Sequence, residues 1–310
     1  MILTSNSKFW HQKLEVPLME RVELNTPAEI LSHVALVNSF EQKTDNPEAL
    51  FISEDFFKDA QKAIEEIPLI IQEKLNDKLL GIYFGTGWGS SALTDVVADE
   101  KGNVIGSVVA VDVKTLLNHS ANSWSAWKEN TPFTEGPYKI DATIETASND
   151  HRKNAIQYLL LHEFGHVLTA QKDFLPDWWL KAEHFKSTDE YSFLPISWQI
   201  NIANQIIPLI KEDFQYRDKV NYYSGEQLPN HEIADIYEAL DKTSFVSLYA
   251  ATSAYEDFAE MFAYYVHVVL MEKPYEISLW HKDDLILSFN HFKNHHRFKQ
   301  KHQFFTSFFK

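Results

Sequence analysis

The chain contains no cysteine. Disulfides, thiolate zinc sites and a cysteine nucleophile are therefore excluded, and any bound metal has to be held by histidine and carboxylate. Glycine and proline are scarce, 9 and 11 of 310 residues, which excludes a low-complexity or linker-rich chain. No stretch reaches the roughly 18 consecutive apolar residues of a membrane-spanning helix. The opening MILTSNSKFWHQKLEV also lacks the apolar segment of a signal peptide. The expectation is a soluble protein with no membrane span, either cytoplasmic or the mature form of an exported protein. Positive charge is short as well: 28 Lys and Arg against 44 Asp and Glu give a net charge of −16. Such a balance repels phosphate backbones and argues against a nucleic-acid partner.

What is present is an ordinary core-forming composition, 45% hydrophobic and 23% charged over 310 residues, enough for one large domain or two lobes. The pattern predicts an α+β fold. Residues 1–76 read as a helical N-terminal region, with Thr26 and Pro27 opening one helix and Phe57, Ala60, Ala63, Ile64 and Ile67 at helical spacing in another that Pro68 interrupts. Residues 79–113 change to β-branched runs, a strand and then a hairpin turning at residues 99–103, for which a small, mostly antiparallel sheet is expected. Gly85-Thr-Gly-Trp-Gly89 trails the first of these strands. A phosphate-binding glycine loop must open a helix, and the next segment reads as another strand. Residues 115–147 look loop-like. Beyond them, Ser148, Asn149 and Asp150 offer N-caps to a helix over residues 152–172 with apolar Ile156, Leu159, Leu160, Val167 and Leu168. Another helix is expected over residues 255–271, followed by helical pieces.

Within the first of these two helices the sequence reads His162-Glu163-Phe164-Gly165-His166. Two histidines four apart share one helical face and can reach one metal ion, while Glu163 stands where it can take a proton from a metal-bound water. A catalytic zinc site needs a third protein ligand and one open position. Thr169 and Lys172 occupy the places where a metzincin pattern would put glycine and a third histidine, which removes that subclass. The candidates further on are His184, in an irregular polar stretch, and Glu256 and Glu260, one turn apart in Tyr-Glu-Asp-Phe-Ala-Glu-Met-Phe-Ala. Of two carboxylates on one face, one can bind the metal and the other can accept the N–H of a ligating imidazole.

The pairing of His-Glu-Phe-Gly-His with the later Glu-Asp-Phe-Ala-Glu resembles the gluzincin zinc metallopeptidases, in particular bacterial zinc-binding peptidases akin to the catalytic domain of the lethal factor toxin. The likeness covers residues 152–172 and 245–266. It implies a zincin-like domain over residues 77–310, with residues 173–245 as a substrate-side insertion and the helix bearing the first motif at the active site. It also implies one Zn²⁺ per chain held by His162, His166 and Glu256, Glu163 as general base, Glu260 supporting a ligand, Tyr249 as a donor to the oxyanion, and a peptide or protein as substrate. His166 and Glu256 stand 90 residues apart, far more than in thermolysin-type enzymes, whose substrate pocket is not carried over. The alternative expectation is an inactive zinc-binding or interaction module on the same fold. Trp178, Trp179 and Trp198 are candidates either for a peptide cleft or for the core, and the basic run HFKNHHRFKQKH at residues 291–302 reads as a solvated helix face.

Overall fold

A computed structural model describes residues 1–40, 42–223, 225–289 and 296–310. The protein is mixed α and β, and its residues gather into two compact units, one of residues 1–124 and 149–170, the other of residues 125–148 and 171–310. The division does not fall at residue 76. Among the described residues, no helix is long and apolar enough to cross a membrane.

The first unit is built on one sheet of β1 (Ile2–Leu3), β2 (Val22–Glu23), β3 (Glu48–Ala49), β4 (Leu79–Thr86), β5 (Ala92–Ala98) and β6 (Val104–Asp112), in the order β1-β5-β6-β4-β2, with β3 on β4. The expected hairpin is there: Asp99 accepts the amides of Lys101 and Asn103 at 2.8 and 2.9 Å, and β5 and β6 pair antiparallel. The expected mostly antiparallel sheet is instead mixed, because β6 inserts between β5 and β4 and runs parallel to β4, while β1 and β2 pair parallel to β5 and β4. Three of those strands lie within residues 1–76, which also form α1 (Ser7–Leu14) and, where helical spacing was read, α2 (Ala28–Phe40), α3 (Glu54–Glu65) and α4 (Leu69–Leu75). Two-residue strands leave no periodicity to read, since alternation needs four or more residues to show. The Gly85–Gly89 segment is a tight connection in which Gly87 and Gly89 adopt φ of 75° and 73°. Its Gly87 and Trp88 amides both donate to Asp112 Oδ2. They are taken by a carboxylate of the protein itself, as the rejection of a phosphate loop requires.

Residues 115–147, expected as loop, contain α5 (Ala121–Asn130) and β7 (Tyr138–Thr143). Ser120 stands at the start of α5, its hydroxyl accepting the Ser123 amide at 3.4 Å, and a carboxylate distant in sequence adds to it. Asp150 does not cap its own following helix; its carboxylate accepts Asn122 N at 2.8 Å and Ser120 Oγ at 2.9 Å, at the start of α5. The helix α6 (Arg152–Thr169) begins where the sequence places it, with His151 at the N-cap, and packs on α3, α4, β5 and β6. It is buried around almost its whole circumference, so its apolar positions carry the core of this unit. Gln157 donates to the Ala63 carbonyl of α3 at 2.9 Å, and Arg152 pairs with Asp59 at 2.6 Å.

The second unit holds the antiparallel sheet β7, β10 (Glu276–His281) and β11 (Asp284–Phe289), the hairpin of β8 (Trp198–Ile200) and β9 (Ile206–Pro208), and the helices α7 (Ile233–Leu240), α8 (Ala254–Tyr264) and α9 (Lys299–Phe308). The β10–β11 hairpin stands where helical pieces were expected. Residues 291–295 of the basic run lie outside the described residues. The rest of that run is solvated only in part: His296, Lys299 and Gln300 are exposed, but Lys301 is fully buried, and its Nζ reaches Asp257 Oδ1 at 2.5 Å and the Ser244 carbonyl at 2.8 Å. Around it Phe193, Phe258, Phe304 and Phe305 pack edge to face with centroids 4.9–6.0 Å apart. Trp198 belongs to this core and not to a cleft, its indole N–H bonded to Asp257 Oδ2 at 3.0 Å.

After Tyr264, α8 widens into a π-helical turn, Tyr265–Leu270, that aims His267 inward. Its Nε2 lies 2.8 Å from the Ile144 carbonyl and 3.1 Å from that of Pro274. Burial, helped by the Lys273 ammonium, pushes this imidazole down to about 4 from an ordinary 6.5. A group lowered in the folded state binds protons preferentially when unfolded. Its contribution is thus complete above pH 6.5 and lost as the pH falls from there through about 4, about 3 kcal/mol in all. His267→Gln keeps a donor but does not titrate, so urea unfolding at pH 7, 5.5 and 4.5 should show a shallower loss than in the parent. An unchanged slope would place the acid sensitivity elsewhere.

Candidate metal centre

The centre starts from α6. Residues 162 and 166 fall on one helical face, and the structure sets the two rings at 76° with Nε2 of one 3.2 Å from Nε2 of the other. Nitrogens bound tetrahedrally at 2.0–2.1 Å to one zinc ion stand about 3.3 Å apart. The pair therefore has the spacing of two imidazoles on one metal. His162 is buried and His166 half-buried. Thr169 Oγ1 donates to the His166 carbonyl at 2.8 Å, closing the last turn beneath it.

Glu256 lies in the first turn of α8. Ser253 is the N-cap, and its hydroxyl accepts the Glu256 amide at 3.1 Å, which fixes the backbone of the third candidate ligand. One ligand atom each from His162, His166 and Glu256 lies within 4.8 Å of the other two, a cluster that can hold a metal ion. Two imidazoles and a carboxylate are a donor set suited to zinc. His184, the reserve candidate, is exposed beside Glu183 and is not in this cluster.

Glu163 is 4% exposed. Its Oε2 accepts the hydroxyl of Thr94 on β5 at 2.7 Å, and the same hydroxyl lies 3.3 Å from the Glu163 carbonyl oxygen. No local pattern marks this contact, because a threonine in a strand reads as a β-branched packing residue.

Comparisons with family models, with curated proteins and with solved structures returned no match to the chain.

Glu260, one turn after Glu256 on α8, is buried and doubly engaged. Its Oε1 takes Lys128 Nζ of α5 at 2.8 Å and its Oε2 the Ser247 hydroxyl at 2.7 Å. Glu129, beside Lys128, accepts the phenols of Tyr222 and Tyr237 on one oxygen at 3.0 and 2.9 Å. Burial works against the Lys128 ammonium, but the Glu260 and Glu129 carboxylates outweigh it and hold the lysine above its ordinary value. Burial likewise raises the Glu129 carboxyl, against the pull of Lys128. Tyr249 rests on this platform. Its ring centroid is 4.6 Å from Lys128 Nζ and 4.6 Å from the Tyr222 ring. A Lys-Glu pair in a polar stretch reads as solvated, so nothing local marks residues 128 and 129 as buried. Trp178 packs edge-on against Trp179 and Tyr255 at 4.8 and 6.4 Å, all three half-buried, which leaves these two tryptophans as candidates for contact with a ligand.

Proposed function

We propose that the protein is a zinc-dependent peptidase with a zincin-like arrangement, resembling the gluzincins, in which His162, His166 and Glu256 hold one Zn²⁺ per chain. The single observation that carries this reading is the ligand-atom cluster of those residues, which joins the two sequence motifs. When bound, zinc lowers the pKa of a coordinated water to about 7 and polarises the scissile carbonyl. The chain supplies the rest. Glu163 takes the proton of the attacking water on a carboxylate oxygen and passes it to the leaving amide nitrogen. Tyr249 donates its phenol to the carbonyl oxygen as negative charge gathers there, its ring kept in place by Tyr222 and Lys128. Glu260, with one oxygen on Lys128 and one on Ser247, keeps α8 in register with its neighbours and supports the ligand set. The surplus of acidic residues favours basic or neutral peptides as substrates by electrostatic steering.

Metal analysis of the purified full chain, followed by digestion of a diverse peptide library, tests metal and reaction together. One zinc per chain with cleavage that a chelator abolishes is the expected result, and Glu256→Ala should lose the tightly held ion. Full occupancy in Glu256→Ala would move the third ligand elsewhere. A metal-free chain that still cleaves would refute the mechanism.

A further inference from the structure

The proposal that Glu163 is the general base leaves open what aims it. Successive residues of a strand face opposite sides of a sheet. On β5, Leu93 and Val97 pack into the cluster that contains Trp10, Ile30 and Val34, so Ala92, Thr94 and Val96 point the other way. Thr94 meets Glu163 of α6 on that side, where Val96 is fully buried. A valine at position 94 would fill the same volume and suits a strand as well as threonine does. What distinguishes Thr94 is one hydroxyl.

Its proton goes to Glu163 Oε2 at 2.7 Å, the shorter of its two approaches to that residue. Among the described residues no other side chain or amide donates to this carboxylate, and none donates to Oε1. The two oxygens are thereby made unequal: one is tethered to the sheet and the other is left to work on a proton. We propose that Thr94 is the positioning residue for Glu163, stopping rotation of the carboxylate so that Oε1 is the oxygen presented to the reacting water. The inference rests on Glu163 being the base. Misaiming a catalytic group by a fraction of a bond length lowers the rate of the chemical step while leaving substrate binding intact.

The test uses the full zinc-loaded chain with a peptide that it cleaves. Thr94→Val should lower kcat by about 10- to 100-fold, the range for a hydrogen bond to a charged group, with KM, zinc content and melting temperature close to the parent. Thr94→Ser restores the hydroxyl and should recover most of the rate. A readout free of turnover comes from difference infrared spectroscopy of the metal-free chain. The Glu163 carboxylate stretch, identified by its absence in Glu163→Gln, should shift in Thr94→Val and not in Thr94→Ser. Parent kcat together with an unmoved stretch in Thr94→Val overturns the inference, as does a rate loss that Thr94→Ser shares. Glu163→Gln in the same assay separates the two levels. If it is inactive while Thr94→Val is normal, the positioning role alone fails; if it cleaves at the parent rate, the base assignment fails and takes this role with it.

Discussion

Glu163→Gln should retain the fold and the full complement of zinc while losing at least the roughly 10²- to 10⁴-fold in turnover that general base catalysis supplies. The substitution is close to isosteric, and the amide oxygen of Gln can accept the Thr94 hydroxyl as Glu163 Oε2 does at 2.7 Å, so the tie between β5 and α6 survives. What disappears is a group able to take up a proton, because an amide is not basic at neutral pH. The neighbouring candidate ligands are untouched: His162 and His166 keep their helical spacing, and Glu256 keeps its capped amide. Zinc content by metal analysis, a thermal melt and steady-state kinetics on one cleavable peptide are sufficient. Wild-type turnover would remove Glu163 from the chemistry. Loss of zinc with the fold intact would make it a ligand instead.

Lys301→Ala is expected to cost about 3–5 kcal/mol of stability, the range for removing one partner of a buried ion pair. Both Lys301 and Asp257 are 0% exposed. Burial raises the Asp257 carboxyl to about 6, with Lys301 pulling it back, and lowers the lysine. Each charge is thus tolerated only because of the other. With the ammonium gone, Asp257 keeps, among the side chains of the described residues, only the Trp198 indole N–H as a donor, and the Ser244 carbonyl loses the Lys301 ammonium. Replacing both, Lys301→Met with Asp257→Asn, leaves no unpaired charge and should recover much of the loss. Urea unfolding of the parent, the single and the double variant gives the comparison. A single variant as stable as the parent would mean that the pair contributes nothing and that the phenylalanines alone hold α9.

The sequence was informative where one segment contains its own explanation. The α6 helix and its two histidines follow from period and spacing within eighteen residues, and a helix over residues 255–271 was legible, although α8 closes at Tyr264 and passes into a π-helical turn. Elements whose support comes from far along the chain were illegible. The helix α5 is capped by Asp150, the sheet of the first unit is completed by dipeptide strands, and Trp198, Lys128 and Lys301 are buried by partners 59, 132 and 44 residues distant. A lysine pattern shows charge, not whether a carboxylate waits inside the core. The same limit applied to the site: the motif residues were readable, but the hydroxyl that orients Glu163 comes from a position 69 residues earlier.

The platform beneath Tyr249 constrains how this chain can change over time. Lys128, Glu129, Glu260, Tyr222 and Tyr237 form a connected set of buried charges and phenols, in which the lysine offsets two carboxylates. Loss of Lys128 alone would leave two buried carboxylates without their cation in a medium where isolated charge is costly, and loss of Glu260 alone would leave the lysine to the Glu129 carboxylate at 3.8 Å. Sequence drift at these positions is therefore expected to proceed in linked steps, with the lysine and its carboxylates disappearing together or not at all, while exposed residues such as Ile202 and Ile210 vary independently.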